Sequence, residues 1–418
     1  MQAQSSRIDA GKSAHDWASD HMPVFRLAEN FVKSKIKIEG NPFEGLKLAA
    51  CLHISKETSV LINSLHDFGF EILLVAANPL SSQDEIASFL MSKGIKVLGQ
   101  KGEATETYSE HIRIASHSSP NFILDDGGEL HVTYANGTHD SCAGGTDETT
   151  TGTVRLRALD AERKLRYPVI PVNEAATKHI FDNMFGTGQS ALDGLIRATG
   201  LLVAGKTVLV VGYGWVGRGV ALRLSGMGAK VIVTEIDPIK ALEAHLNGFS
   251  VHRMVEAVQF ADIVLTCSGQ VNVVGGQHFG ILKDGAILGN LGHFDREIDV
   301  KKLFALSRRS ENVRENITKL ELGPEQDPKE IYLLCEGRVV NLAAAEGHPP
   351  EVMQLSFANQ LLSIHHLLTS ERKPSDSESK FLPFPGEIDS LVADFALKGF
   401  GLSIDSLTEE QLQYSHSF

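Results

Sequence analysis

From about residue 46 onward, short apolar or β-branched runs alternate with longer amphipathic stretches, the pattern of βαβ units wound around a parallel sheet. LKLAACLHI, EILLVAAN, IKVLG, NFILDD and YPVIPVN read as strands. Between them, KETSVLINSLHDFG and SQDEIASFLMSKG place apolar residues at helical spacing and stop at Gly69 and Gly94, as helix ends often do. A second series begins near Asn183 with a helix through Ser190 to Ala198, then strands in KTVLVVG, KVIVTEID, ADIVLTC, GAILGN and YLLCEGRVVNL. AAAEGHPPEVMQLSFANQLLSIHHLL reads as a helix leading back to the first domain, and ERKPSDSESK as a polar linker. The expectation is an α/β protein with two parallel-sheet, Rossmann-like domains, the second inserted in the first, plus a small C-terminal tail. Its boundaries are 1–182 continued by 350–372, 183–349, and 373–418.

Composition narrows the partners. The 418 residues are 42% hydrophobic and 22% charged, enough for two or three cores. Lys and Arg number 39 against 52 Asp and Glu, and the net charge of -13 argues against nucleic acid or an anionic membrane and for a small polar substrate. Four dispersed cysteines without a C-x-x-C pair give no reason to expect a metal or a disulfide framework. The first twenty residues lack an apolar core and no run is long enough to span a membrane, so a reducing, cytoplasmic setting is expected.

The chemistry concentrates in two places. VVGYGWVGRG sets Gly212, Gly214 and Gly217 in G-x-G-x-x-G spacing between a strand and a helix, the context in which that motif cradles a pyrophosphate. Glu235, at the end of the next strand, can accept from the adenosine ribose hydroxyls and would repel a 2′-phosphate, favouring NAD over NADP. In the first domain, Asp125 and Asp126 precede two glycines, Asp147 and Glu148 precede three threonines, and Lys178 stands four residues before Asp182 on one helix face. Each has a plainer reading as a turn, a helix cap or a solvated pair. Their clustering at strand ends, where α/β sheets bind ligands, favours a site.

The stretches CLHISKET, NPLSSQD, DDGG, GGTDETTTG, VNEAATKHIFDN, GTGQSALDG, GYGWVGRG, TEIDPIKALEA, GHFDREID and NLAAAEGHP, in that order, resemble the S-adenosylhomocysteine hydrolase family from about Met22 to the C-terminal segment. The resemblance implies a substrate domain built from both ends of the chain, an inserted NAD domain, a tail contacting a neighbour in a homotetramer, and a reversible thioether hydrolysis. Bound NAD+ would oxidise the ribose 3′-hydroxyl of S-adenosylhomocysteine and acidify C4′. Homocysteine would leave, water would add, and reduction at C3′ would give adenosine.

On matching positions the resemblance makes Lys178, with Asp182, the group that receives the 3′-hydroxyl proton, and a lysine so buried is expected to have a lowered pKa. It makes Asp126 the base at C4′ and sets His53 toward the leaving sulfur and the incoming water. Glu148 becomes a ribose ligand and Asn183 a neighbour of the nicotinamide. Glu57 would accept from the adenine 6-amino group and disfavour a 6-oxo purine, with Ser55, Thr58, His348 and Met353 around it. Cofactor contacts fall on Thr149, Thr150, Thr151, the loop Gly212, Gly214, Trp215, Val216, Gly217, Arg218 and Gly219, then Glu235, Lys240, Leu291, Gly292, His293, Asn341 and His348. His293 and Phe294 match a gate, and the stretches 173–182 and 348–352 would be hinges.

Three departures stand out: Ser55 replaces a common Thr, Asp147 a common Glu, and Lys240 an Asn used toward the ribose. The segment ending in YSHSF resembles the short tails of the family's bacterial and archaeal members. The other readings open to the sequence are an S-inosylhomocysteine hydrolase, an NAD-dependent 2-hydroxyacid dehydrogenase of the same inserted plan, and a catalytically silent regulatory relative.

Overall fold

The computed structural model describes residues 2–78, 81–292, 295–371, 374–375 and 378–417. Two sheets organise them. The first comprises β1 (Lys47–Leu52), β2 (Glu71–Ala76), β3 (Lys96–Leu98), β4 (Phe122–Asp125), β5 (Gly144–Asp147) and β6 (Val169–Pro171), all parallel, in the order β3-β2-β1-β4-β5-β6. Helices cover each side, so β1, β2 and β4 are largely buried on both faces and read as continuous apolar runs.

The second sheet contains β7 (Thr207–Val211), β8 (Lys230–Thr234), β9 (Ser250–Val251), β10 (Ile263–Thr266), β11 (Ala286–Asn290), β12 (Arg309–Arg314), β13 (Ile317–Leu322) and β14 (Lys329–Leu334). The order is β12-β13-β14-β11-β10-β7-β8-β9. It is not wholly parallel: β13 runs antiparallel to both β12 and β14. Two apolar clusters, one on each face, hold this second layer.

A nearly continuous helical link joins the sheets: Ala176–His179, a π-helical stretch Ile180–Gly186, then Thr187–Thr199. The chain returns through the Pro350–Thr369 helix, whose Leu355, Phe357, Ala358, Leu361 and Ile364 sit in the first core. That helix begins later than its sequence pattern suggests, with Pro350 at its first turn and AAAEGHP before it mostly outside helix.

Three further segments differ from the sequence reading. The first twenty residues, polar in composition, form the helix Gln2–Asp20; Gly11 lies so close to the Asp84–Ser92 helix that a Cβ there would be 2.0 Å from the Glu85 carbonyl oxygen. GGTD, which lacks a strand's apolar signal, is the interior strand β5, between β4 and β6. The Gly386–Gly399 helix buries Ile388, Val392 and Phe395 in the first core, so the part of the C-terminal segment that is exposed throughout its described residues starts near Gly401. No described helix is long and apolar enough to cross a membrane.

Candidate active site

In the first sheet strand order reverses between β1 and β4, and the crevice beyond the carboxyl ends of those strands is where such sheets take ligands. His53 follows β1, Asp126 follows β4 and Glu148 follows β5. His53 Nδ1 lies 2.6 Å from Ser81 Oγ and its Nε2 3.5 Å from Asp126 Oδ2. Burial lowers the His53 pKa, with Asp126 pulling the other way.

Lys178 comes from the link between the sheets, and its side chain is almost wholly buried. Its Nζ donates to Asp182 Oδ1 at 3.0 Å, Asn183 Oδ1 at 3.1 Å and Asn173 Oδ1 at 3.3 Å, with Glu148 Oε1 3.8 Å away. The π-helical turn explains the set. Widening the helix to i→i+5 pairing lets the residues four and five places on both approach position 178, which a regular α-helix allows only for the fourth. Burial opposes the ammonium, but Asp182 and Glu148 outweigh it and raise its pKa. The lowered value expected from burial alone is thus corrected: two carboxylates hold the charge.

Asp182 is shared. Its other oxygen, Oδ2, lies 3.2 Å from His348 Nδ1, and His348 Nε2 lies 3.0 Å from Thr187 Oγ1. Burial would raise this carboxyl, but Lys178 and His348 prevail and hold it below the usual range. Glu148 is the opposite case: burial pushes it up to about 7, with Lys178 only partly offsetting that. Its Oε2 accepts from Gln360 Nε2 at 2.6 Å and its Oε1 from Ser356 Oγ, both on the returning helix.

The Glu148 proton has a measurable consequence. The folded protein holds it up to about pH 7, while the unfolded chain releases it from its ordinary 4.5. The folded state therefore binds more protons between these values, and this contribution, about 3 kcal/mol, is complete below 4.5 and lost as pH rises to 7. Denaturation midpoints are expected to fall more across pH 5 to 7.5 in the wild type than in Glu148→Gln; equal slopes would remove the assignment.

Asp125, Asp147 and His131 form a second buried group whose ligand atoms all lie within 4.8 Å of one another. Its atoms are largely occupied by the fold. Asp125 accepts from the Asp126 and His131 amides, and His131 pairs with the Tyr167 hydroxyl at 2.8 Å and the Thr146 carbonyl at 3.2 Å. Asp147 Oδ1 accepts from the Thr149 amide at 2.9 Å. These contacts fix the strand ends that aim Asp126 and Glu148.

Among the residues expected to face the purine, Ser55 caps the Lys56–Asp67 helix through the Thr58 amide at 3.3 Å, and Glu57 and Thr58 are buried in its first turn. Burial raises the Glu57 pKa, with Lys56 opposing. Met353 packs at the margin of the first core.

The glycine loop follows β7, next to the reversal between β7 and β10 in the second sheet. Gly212 has φ 101°, and a Cβ on Gly217 would stand 2.0 Å from the Gly212 carbonyl oxygen, so neither position tolerates a side chain. Above Gly214 lies open space, and the Trp215–Gly226 helix starts without a side-chain cap, leaving its first amides for an anion. Glu235 accepts from the Tyr213 and Ile236 amides, each at 2.7 Å, which pins it beside the loop. These residues fit a dinucleotide.

The remaining expected contacts divide. Arg218 is forked onto Glu243 and lies 4.7 Å over the Trp215 ring, while Val216 packs on the second core. Gly219 meets the backbone of Met184. Lys240 is 3.5 Å from Asp237, which offsets its charge. The Thr149 hydroxyl caps the Thr150–Ala161 helix, Thr150 accepts from Asn173 at 3.0 Å, and Thr151 lies in that first turn. Asn341 donates to Ser190 at 3.2 Å, Leu291 is buried, and the Gly292 amide is held by Asn290 at 2.9 Å. His293 and Phe294 lie outside the described residues.

Sequence reasoning treated Asn173 only as the edge of a hinge, yet it touches Lys178, Asn183 and Thr150. It passed over Ser81, Thr187, Ser356 and Gln360. For the last pair a signal exists: polar residues four apart in an otherwise buried helix.

Residues 3–143 match the family model described as S-adenosyl-L-homocysteine hydrolase, and residues 183–347 match that family's NAD binding domain. Adenosylhomocysteinase of Sulfurisphaera tokodaii is 46% identical over 411 residues, covering 98% of this chain and 96% of that one. Adenosylhomocysteinase of Aquifex aeolicus is 45% identical over 419 residues, with 99% and 97% covered. S-inosyl-L-homocysteine hydrolase of Methanocaldococcus jannaschii is 45% identical over 407 residues, with 97% and 95% covered. With this near full-length likeness laid over a Lys178 cluster and an NAD-type glycine loop, the chain belongs to the S-adenosyl-L-homocysteine hydrolase family.

Proposed function

We propose that this protein is an NAD-dependent adenosylhomocysteinase, hydrolysing S-adenosyl-L-homocysteine reversibly to adenosine and L-homocysteine. The observation that carries the reading is Lys178, enclosed by Glu148, Asp182, Asn173 and Asn183 on the link between two switch-point crevices. Bound NAD supplies reversible oxidation at the sugar 3′-carbon.

The chain's own groups do the rest. Glu148 and Asn173 orient the ribose, and Lys178 exchanges the 3′-hydroxyl proton. Because its neighbours raise its pKa, Lys178 enters as an ammonium, and Glu148, poised near 7 and 3.8 Å away, is the group that can take its proton as substrate binds. Asp126 takes the proton from C4′. His53, lowered by burial and braced by Ser81, passes a proton to the departing sulfur and receives one from the attacking water. Glu57 accepts from the purine 6-amino group, flanked by Ser55, Thr58, His348 and Met353. Asn183 adjoins the nicotinamide, and Thr149, Thr150, Thr151, Asn341 and the loop 212–219 line the cofactor.

We divide the chain into a substrate domain, 1–182 with 350–372, an NAD domain, 183–349, and a C-terminal segment, 373–418. A cytoplasmic homotetramer fits that plan. Its support is the exposed Leu402, Ile404, Leu407 and Tyr414 near the end of the chain, apolar surface suited to a neighbouring copy.

The purified protein is expected to release homocysteine from S-adenosylhomocysteine without added NAD, with reduced nicotinamide appearing only transiently. Sustained reduction would indicate a dehydrogenase, and absence of free thiol would remove the reading altogether.

A further inference from the structure

Lys56 is the first residue of the Lys56–Asp67 helix, one place before the buried Glu57. Its Nζ stands 3.0 Å from Glu57 Oε1 and 2.8 Å from Glu346 Oε2, and its side chain is only 13% exposed. Glu346 belongs to the segment that leaves the second sheet, two residues before His348, and is met from outside by Arg197 at 3.7 Å. One ammonium therefore joins the carboxylate beside the purine pocket to the returning chain of the other half of the molecule.

We propose that Lys56 determines purine specificity: paired with Glu57 and anchored by Glu346, it keeps Glu57 an ionised acceptor and so selects a 6-amino over a 6-oxo purine nucleoside. The inference rests on the hydrolase reading above. An ionised carboxylate can only accept hydrogen bonds, so it matches the exocyclic amine of adenine and repels the carbonyl oxygen of hypoxanthine. A protonated carboxyl donates, and reverses that preference. Glu57 is deep enough for burial to favour protonation, and its facing charges are Lys56 on its own helix and, through Lys56, Glu346 and Arg197 from the other half. Without Lys56 the leading charge that opposes protonation of Glu57 is gone.

The test compares kcat/KM for S-adenosyl- and S-inosylhomocysteine in wild type, Lys56→Met and Glu346→Gln. The wild type is expected to favour the adenosyl compound, Lys56→Met to narrow that ratio by about tenfold, the scale of one hydrogen bond to a charged group, and Glu346→Gln to narrow it less. The ratio in Lys56→Met should also become dependent on pH. A general loss of activity cancels in the ratio. If a protein turns over neither compound, the same ratio is read from the dissociation constants of adenosine and inosine. An unshifted ratio in Lys56→Met, or a wild-type preference for the inosyl compound, overturns the inference, whereas failure of the wild type to hydrolyse either thioether overturns the functional reading instead.

Discussion

Lys178→Met is expected to lower turnover of S-adenosylhomocysteine by about 10³-fold, in the range a positioned proton carrier contributes. Methionine keeps much of the length of the stem and removes the ammonium, with its exchangeable proton, its charge and its three hydrogen bonds. The loss should lie mainly in kcat. In single turnover with adenosine, reduced nicotinamide should no longer form, because the 3′-hydroxyl has nowhere to send its proton. NAD content should stay near wild type, since the glycine loop is built from other elements. A variant within tenfold of wild-type turnover would exclude Lys178 as the proton carrier.

The same change carries a stability cost, with a pH signature. Asp182 and Glu148 lose their shared counter-ion while remaining buried, and breaking such a pair typically costs about 3–5 kcal/mol. Protonation relieves the penalty, so Lys178→Met should be destabilised more at pH 8 than at pH 6. That difference separates removal of the ion pair from a packing defect, which would be indifferent to pH.

How far the sequence alone reaches depends on what each feature has to do. β1, β7 and β10 are legible because a strand buried on both faces must be apolar throughout. β5 is illegible because the fold needs the contrary: a Cβ on Gly145 would approach His131 Cε1 to 2.6 Å, so crowding replaces the apolar signal with glycine. β12 is exposed along its whole length and gives no period. The site divides in the same way. Lys178 and Asp182 share a helical face by spacing alone, but Asn183 joins them only through the π-helical turn, which no residue pattern announces. Asn173, Thr187 and Ser356 are ordinary polar residues until tertiary approach sets them against Lys178, His348 and Glu148. The direction of the Lys178 pKa is not legible because two carboxylates together overcome burial: Asp182, four residues on, and Glu148, brought in from a distant strand end.

Gly219→Ala is expected to cost about 3 kcal/mol or more and to reduce turnover by about 10²-fold, although alanine favours a helix by about 1 kcal/mol over glycine. A Cβ on Gly219 would lie 1.8 Å from the Met184 carbonyl oxygen, and one on Gly188 would lie 2.8 Å from the Gly219 carbonyl carbon. Both obstacles are backbone, so no rotamer change relieves them; the Trp215–Gly226 helix must move away from the stretch 184–188. That helix begins at the glycine loop, and Asn183 stands immediately before the contact, so the movement separates the cofactor loop from Lys178. Thermal unfolding, retained NAD after gel filtration and kcat should fall together. Gly226→Ala is the control: it is the same substitution in the same helix, where a Cβ meets nothing within 4 Å, and it should be neutral or slightly stabilising. If Gly219→Ala behaved like Gly226→Ala, the two halves of the site would not be held in register by backbone contact, and the π-helical link would have to do so alone.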